Sequence, residues 1–235
     1  MVMEASRLGA TARRAFFTEA GLQTPYVAVE VDELIFFVAT NDRLARQLFV
    51  RRWRQDIGHL KRAVKVLREH GGYRAGSTFV DVGAHIGTTT VGAVCREGFA
   101  RAVALEPAPD NFRMLKVNLV ANEVESLVTA LQVAVSDREG EVELVLTARS
   151  SGTHTLLPLL PDRASGASVG VPAVRLDDLV RRKVIEPDLV GLLWADAHGA
   201  EGFVLAGASV LLERRVPIVT LSGRGFRAGR RRGRR

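Results

Sequence analysis

The segment that most constrains the fold is TFVDVGAHIGTTT, Thr78 to Thr90, where an apolar run ends in an acid and two glycines follow. The β-forming residues up to Asp81 predict a strand. Gly83 and Gly87 allow a sharp turn, and they let the backbone approach a ligand where a Cβ would block it. Because ligands of open α/β sheets bind at the carboxyl ends of the strands, the segment predicts a nucleotide site.

A second strand, RAVALEP, ends in Glu106, 19 residues after Gly87. A carboxylate at that position commonly accepts hydrogen bonds from ribose hydroxyls. His85 stands where the dinucleotide fingerprint requires glycine, so NAD is disfavoured. A nucleoside ligand without a pyrophosphate, such as S-adenosylmethionine, fits better. The alternative is that Gly83 and Gly87 only form a tight connection between a strand and a helix.

The net charge of the chain is concentrated at its end. Ser222 to Arg235 contains seven arginines and no acid, which equals the whole formal net charge of +7. The remaining residues are electrically balanced, so the sequence indicates no basic face for nucleic acid on the core. With 47% hydrophobic residues in 235, the chain can bury a substantial core.

A single cysteine, Cys95, gives no disulfide framework and no metal cluster, which is typical of a reducing compartment. Near the N-terminus the longest uninterrupted apolar run is Leu34 to Ala39, far short of the roughly 20 residues that a membrane span needs. No signal peptide is evident. We therefore expect a cytoplasmic protein without a membrane partner.

Three regions are predicted: an N-terminal extension at 1–75, a ligand-binding domain at 76–221 and an arginine-rich tail at 222–235. In the extension, Tyr26 to Val31 and Leu34 to Ala39 have the composition of two short strands. Apolar residues at helical spacing then predict a helix from Asp42 to His70, in two pieces broken near Gly58.

In the central region, strands and helices alternate. A helix is predicted over Asp110 to Asn122 and a third strand over Leu127 to Ser136, which together with the first two strands indicates an α/β, doubly wound sheet. Ser150 to Val169 has no periodicity and predicts a long loop of the kind that often covers a binding site. Asp177 is expected to cap the short helix that follows it.

The last part of the sheet contains a second candidate site. Leu189 to Trp194 predicts a buried strand that leads into Asp196 and His198. A helix over Ala200 to Glu213 and a strand over Val216 to Leu221 are expected to follow.

At these residues the chain resembles the FkbM-family methyltransferases, a class I group that depends on S-adenosylmethionine. The resemblance covers about Asp42 to Thr220 and rests on three motifs. The family pattern Phe-x-Asp-x-Gly-Ala-Asn-x-Gly is present with His85 in place of Asn, and Glu-Pro-x-Pro-x-Asn-Phe is intact from Glu106. The third motif comprises Asp196, His198, Gly199 and Glu201, followed by Leu205, Gly207 and Ala208.

The resemblance implies a Rossmann-like class I methyltransferase sheet of seven strands, preceded here by the small β/helical extension. It also implies O-methylation of a hydroxyl on a small molecule such as a sugar, an antibiotic or another natural product. In the cofactor site, Asp81 and Gly83 would hold the methionine portion, with His85 and Gly87 in the same turn. Glu106 would hold the ribose, and Ser136 with Asp137 would hold the adenine edge, while Asp196 would face the transferred methyl.

Methyl transfer is an in-line displacement, so the protein must align the acceptor oxygen and remove its proton. Asp196 can orient the hydroxyl, bind a divalent cation such as Mg²⁺ that acidifies it, or anchor the cofactor. His198 is an equally suitable base, since its unperturbed pKa is about 6.5. His154, in the long loop, is a further candidate for the acceptor site.

The end of the chain departs from the family pattern. The residues after Leu221 are half arginine and cannot form the antiparallel strand pair that completes a class I sheet. The resemblance therefore suggests a member whose C-terminus is altered or truncated. We expect the arginine-rich tail to be disordered and to bind polyanions non-specifically. The unpaired sheet edge is expected to favour self-association. Two alternatives stay open: a degenerate member without activity, and an RNA-associated protein that uses the tail as an arm.

Overall fold

The computed structural model describes residues 8–52, 55–147, 151–156 and 167–221. The predictions for the tail from Ser222 to Arg235 lie outside the described residues, as does the middle of the predicted long loop. The helices are α1 (Ala10–Ala20), α2 (Arg43–Arg51), α3 (Gln55–Glu69), α4 (Thr88–Arg96), α5 (Pro109–Ala121), α6 (Leu176–Arg181), α7 (Glu201–Ala206) and α8 (Ser209–Glu213). The strands are β1 (Tyr26–Val31), β2 (Leu34–Ala39), β3 (Thr78–Val82), β4 (Arg101–Leu105), β5 (Val128–Leu131), β6 (Ala134–Val135), β7 (Gly140–Val145), β8 (Thr155–Leu156), β9 (Ser168–Val174), β10 (Val190–Ala195) and β11 (Ile218–Thr220).

The central sheet is parallel, and its strand order is β11-β10-β3-β4-β5. Side chains alternate between its two faces, so Phe79 packs with α3, α4 and α5 while Val80 packs with α6, α7 and α8. Helices thus cover both faces, and the predicted doubly wound α/β sheet is confirmed. The strand order reverses between β3 and β10, which is where sheets of this kind bind their ligands.

The predicted third strand is wrong as a single element. β5 ends at Leu131, and the chain resumes as β6, which leaves the central sheet and pairs in parallel with β9. β9 also pairs with β7 in an antiparallel register, and β8 completes this second sheet. The backbone N–H of Ser136 donates to the carbonyl oxygen of Val174 at 2.9 Å and extends the β6–β9 pairing. The end of the predicted strand therefore belongs to a different sheet from its beginning.

The two predicted N-terminal strands are present as an antiparallel hairpin, β1 and β2. Two asparagine side-chain oxygens accept backbone N–H groups of β2: Asn122, the C-cap of α5, accepts from Ile35 at 2.9 Å, and Asn118 within α5 accepts from Phe37 at 2.7 Å. The buried ring of Phe36 belongs to the same hydrophobic cluster as β3 and α4. The hairpin is thereby fastened to the helix that follows β4.

The observed helices differ from the predicted ones in three places. α1 was not predicted. The break in the following helix lies at Arg52, which adopts a left-handed φ of 50°, and not near Gly58. Gly58 lies within α3, where a glycine costs only about 1 kcal/mol relative to alanine and the burial of Leu60 and Val64 offsets that cost. The helix predicted after Ala200 is two short helices, α7 and α8.

Asp177 caps a different helix from the one predicted. It lies inside α6, whose N-cap makes no side-chain hydrogen bond. The carboxylate of Asp177 instead accepts the backbone N–H groups of Ser209 at 3.2 Å and Val210 at 2.9 Å, at the start of α8. This joins α6 to α8.

Among the described residues, no helix has the length and apolar character needed to cross a membrane.

Candidate active site

A pocket opens at the carboxyl ends of β3, β4 and β10, beside the point where the strand order reverses. The sequence placed acids and glycines at these three strand ends, and parallel strands bring them to one edge of the sheet. The predicted site residues that line the pocket are Gly83, His85, Glu106, Asp196 and His198. Asp81, Gly87, Ser136 and Asp137 do not line it.

The carboxylate of Glu106 is the most tightly held polar group of the pocket. Its Oε1 accepts the backbone N–H of Ala108 at 3.0 Å and the Nδ2 of Asn111 at 3.2 Å. Its Oε2 accepts the backbone N–H of His85 at 2.8 Å. Burial raises the pKa of Glu106, and these three donors oppose the rise. A carboxylate has about four acceptor positions, so one position on Glu106 is left for a ligand hydroxyl.

His85 adopts a left-handed φ of 53°, a conformation in which Asn and His are enriched among non-glycine residues. The family pattern has Asn at this position, and the backbone conformation suits either residue. The ring Nε2 of His85 lies 2.7 Å from the Ser151 hydroxyl, within hydrogen-bond distance. His85 therefore contacts Glu106 through its backbone and Ser151 through its side chain.

Gly83 is required for a reason that the sequence did not show. Its φ is +82°, and a Cβ at this position would lie 2.1 Å from the backbone oxygen of Asp196. The expectation that a Cβ would block a ligand is therefore incomplete, because the first obstruction is the protein's own chain. Gly83 brings the end of β3 against the end of β10.

We expect Gly83→Ala to lower the free energy of unfolding by about 2 kcal/mol or more, because it combines a backbone clash with a left-handed conformation. Denaturant unfolding followed by circular dichroism measures the change. The control is Gly202→Ala, in α7, where an added Cβ has nothing within 4 Å. Equal stability of the two variants would contradict the close approach of β3 to β10.

Gly87 serves packing. It precedes α4 with a φ of +86°, and a Cβ would lie 2.6 Å from the Cδ1 of Leu115 in α5. The absence of a Cβ therefore lets the start of α4 lie against Leu115 of α5. Its contact with the cofactor stays a prediction that the geometry of the pocket does not support.

Asp196 and His198 lie side by side on the turn after β10. The Nδ1 of His198 is 3.8 Å from the Oδ1 of Asp196, and each side chain is 34% exposed. Glu201 shapes this turn, since its carboxylate accepts the backbone N–H groups of Ala197 and Gly199 at 3.1 Å. The turn thus presents a carboxylate and an imidazole together to the pocket.

Ser136 and Asp137 contact each other at the end of β6, where the Ser136 hydroxyl donates to Asp137 Oδ1 at 3.1 Å. The pocket wall nearest to them is formed by Val133, Ala134 and Val135. Their predicted contact with the adenine edge stays a prediction.

The described part of the predicted long loop forms the wall that closes the other side of the pocket, although most of the residues that line it were not predicted as site residues. Ser151, Gly152, His154 and Leu156 line it, and all of them belong to the predicted long loop. Of these, His154 alone was a candidate. The side chain of Asn111 donates to the Ser151 carbonyl oxygen at 3.0 Å as well as to Glu106. Asn111 is part of the Glu-Pro-x-Pro-x-Asn-Phe motif, which was the signal available in the sequence.

The model of the methyltransferase FkbM domain matches residues 81–228, more than half of the chain. The chain belongs to the FkbM methyltransferase family. The predicted family and the methyltransferase class of enzyme are confirmed.

Two curated methyltransferases are similar to this chain over much of their length. Methyltransferase sdnD of Sordaria araneosa is 31% identical over 175 residues, which covers 63% of this chain and 68% of the relative. The 31-O-demethyl-FK506 methyltransferase FkbM of Streptomyces tacrolimicus is 31% identical over 162 residues, which covers 57% of this chain and 60% of the relative. The chain thus spans less than two thirds of the Streptomyces protein.

Two solved structures are similar at lower identity. The crystal structure of methyltransferase FkbM from Methylobacillus flagellatus KT is 16% identical, covers 72% of this chain and 44% of that chain, and has a TM-score of 0.44. The S-adenosylmethionine-dependent methyltransferase from Agrobacterium tumefaciens is 9% identical, covers 87% and 54%, and has a TM-score of 0.48. At these scores neither likeness bears on function, and the fold rests on the strand order described above.

Asp81 lies outside the pocket of this FkbM-family chain, on the face of β3 that meets α4. Its carboxyl is 1% exposed, Oδ2 accepts the Thr90 hydroxyl at 2.6 Å, and Oδ1 has no hydrogen-bond partner among the described residues. Burial raises the pKa of Asp81 from its ordinary 3.8 to about 7, and the carboxylates of Asp196, Asp56 and Glu106 add to the rise. Near neutral pH this carboxyl is therefore close to half protonated.

We expect the stability that Asp81 contributes to be complete below pH 4 and to be lost as the pH rises to about 7. The folded state retains a proton that the unfolded chain has released over this interval, so the free energy of unfolding falls by up to about 1.4 kcal/mol per pH unit. Urea unfolding from pH 4 to 8 measures the loss, and Asp81→Asn should remove it. Asp188→Asn, at a side chain 70% exposed, is the control. An Asp81→Asn profile parallel to that of the wild type would contradict the raised pKa.

Within the described ranges, no group of three or more His, Cys, Asp or Glu residues is arranged to hold a metal ion. The divalent cation predicted beside Asp196 thus has no ligand set in the part of this FkbM-family chain that the structure describes.

Proposed function

We propose that this chain is an S-adenosylmethionine-dependent O-methyltransferase that acts on a hydroxyl of a small molecule, such as a sugar, an antibiotic or another natural product. The observation that carries the proposal is Glu106, a buried carboxylate with one acceptor position left, in a pocket at the strand reversal of an FkbM-family sheet. The name of the Streptomyces relative describes methylation of an oxygen on a natural product, which supports the acceptor class.

The residues present suit the cofactor. Glu106 would accept a ribose hydroxyl at its remaining position. Val133 and Val135 offer an apolar wall to the adenine ring, near Ser136 and Asp137, which the family resemblance assigns to it. Asp81 and Gly83 stay assigned to the methionine portion. Asp81 would interact with it from the buried side of the turn, because its carboxyl does not line the pocket. Its unpartnered Oδ1 suits a nearby cationic amino group.

S-adenosylmethionine supplies an electrophilic methyl group, and this chain must align the acceptor oxygen and remove its proton. The carboxylate of Asp196 lies 3.8 Å from Nδ1 of His198 and favours a positive charge on that ring. His198, beside Asp196, takes the proton.

The proposal is tested by calorimetric titration of the wild type with S-adenosylmethionine, followed by a methyl-transfer assay against a panel of hydroxylated small molecules. Saturable binding at one site and methylation of at least one hydroxyl support it. Failure to bind overturns it. Binding without transfer to any hydroxyl supports the alternative of a degenerate or truncated member without catalytic activity.

We also propose that the protein works in the cytoplasm on a free small molecule, with no membrane partner and no specific nucleic-acid partner. In the described residues β11 pairs with β10 on one side only, so the edge of the sheet favours self-association. Light scattering across a range of protein concentrations tests this. Salt-sensitive binding to polyanions would come from the arginine-rich tail.

A further inference from the structure

Two residues, Asn111 and His85, join Glu106 to Ser151. Asn111 donates from Nδ2 to Glu106 Oε1 at 3.2 Å and to the Ser151 carbonyl oxygen at 3.0 Å. His85 donates its backbone N–H to Glu106 Oε2 at 2.8 Å and places Nε2 at 2.7 Å from the Ser151 hydroxyl. Asn111 and His85 are buried, so water competes little for these bonds.

Ser151 is held at a third atom from a distant part of the chain. Its backbone N–H donates to Asp42 Oδ2 at 2.6 Å, and Oδ1 of the same carboxylate accepts the backbone N–H of Ala45 at the start of α2. The amide, the carbonyl and the hydroxyl of Ser151 thus each have a side-chain partner, from three separate elements.

Ser151 is the first described residue of the wall that ends at Leu156. Within this wall, His154 Nδ1 accepts the backbone N–H of Thr147 at 2.9 Å, which requires a neutral ring with its proton on Nε2. Burial lowers the pKa of His154, and the neighbouring His198 lowers it further. The wall therefore presents a hydrogen-bond donor on the side of the pocket where the acceptor would bind.

We propose that Ser151 is a positioning residue that couples the two halves of the site, by fastening the wall Ser151–Leu156 to the carboxylate that binds the ribose. The inference rests on the proposed function. Once a ribose hydroxyl donates to Glu106, that carboxylate loses freedom together with Asn111 and His85, and the wall that these two residues hold becomes more rigid. Cofactor and acceptor then each increase the affinity for the other by the same factor.

The test is amide hydrogen exchange with and without S-adenosylhomocysteine, which lacks the transferable methyl. In the wild type we expect the amides of Thr147 and Ser151 to exchange roughly 3- to 10-fold more slowly with the ligand, which corresponds to about one hydrogen bond. Ser151→Ala should abolish this slowing while the affinity for S-adenosylhomocysteine changes less than about 3-fold, and Ser151→Thr should restore it. Ser168→Ala is the control. The hydroxyl of Ser168 donates to Glu143 in the sheet that also contains β8 of the wall, but Ser168 does not line the pocket.

The outcomes are distinguishable. A wild type that does not bind S-adenosylhomocysteine overturns the proposed function, and this inference with it. A wild type that binds without slowing either amide overturns the coupling alone. Retention of the slowing in Ser151→Ala would also overturn the coupling, because the wall would then respond to the cofactor without the Ser151 hydroxyl.

Discussion

Asp196→Asn should lower the rate of methyl transfer by about 10²- to 10⁴-fold, the contribution typical of a positioned group in proton transfer. Asparagine has nearly the same shape as aspartate but carries no charge, so it cannot favour the positive charge that His198 would acquire. Because Asp196 is 34% exposed, we expect Tm to shift by less than about 2 °C. The measurement is product formation with an acceptor that the wild type methylates, together with a thermal melt.

Asp188→Asn is the matched control. Asp188 precedes the amino end of the same strand, β10, and pairs there with Arg214. We expect its activity to equal that of the wild type, and an Asp196→Asn variant as active as this control would contradict the role of Asp196. A chelator added to the wild type addresses the predicted cation. Full activity in chelator rules out a metal at Asp196, and a loss that Mg²⁺ reverses would establish one.

Glu106→Gln should weaken the binding of S-adenosylmethionine by about 10- to 100-fold, which corresponds to the cost of leaving a buried polar group unpaired. Three donors converge on the carboxylate, from His85, Ala108 and Asn111. Glutamine must turn its own NH₂ toward at least one of them, and it loses the acceptor position left for a ribose hydroxyl. Calorimetric titration well below the melting temperatures of both proteins measures the affinity.

Glu125→Gln, at an exposed residue before β5, is the control for this substitution. Its affinity for S-adenosylmethionine should equal that of the wild type. If Glu106→Gln binds as tightly as Glu125→Gln, the ribose lies elsewhere and the assignment of the pocket is wrong. The assignment of Asp196 would survive that result, because it depends on the acceptor side.

The features that the sequence predicted are those that depend on neighbours along the chain. An apolar run followed by an acid predicts a strand end, and parallel strands bring their carboxyl ends together whatever lies between them. Glu106, Asp196 and His198 were therefore placed at one edge of the sheet without knowledge of the tertiary structure. The hairpin from Tyr26 to Ala39 was equally local.

The features that were missed depend on pairings between distant residues. Nothing near Val133 indicates that β6 leaves the central sheet, because its partner β9 lies more than 30 residues further on. Ser151 and its partner Asp42 are 109 residues apart. The obstacle that requires Gly83 is a backbone oxygen on another strand. No local pattern encodes a contact of this kind, so the loop that forms the wall of the pocket was predicted but the partners that hold it were not.

The side chain of Asn118 holds two parts of the fold at once. It is fully buried, its oxygen accepts the N–H of Phe37, and its NH₂ group donates to the carbonyls of Phe37 at 3.3 Å and Ile86 at 2.8 Å. Aspartate would oppose two carbonyls with an acceptor, and leucine would leave three backbone groups unpaired. The hairpin and the turn after Gly83 thus depend on the same amide. A substitution at Asn118 would therefore disturb the hairpin and the turn beside the pocket at the same time.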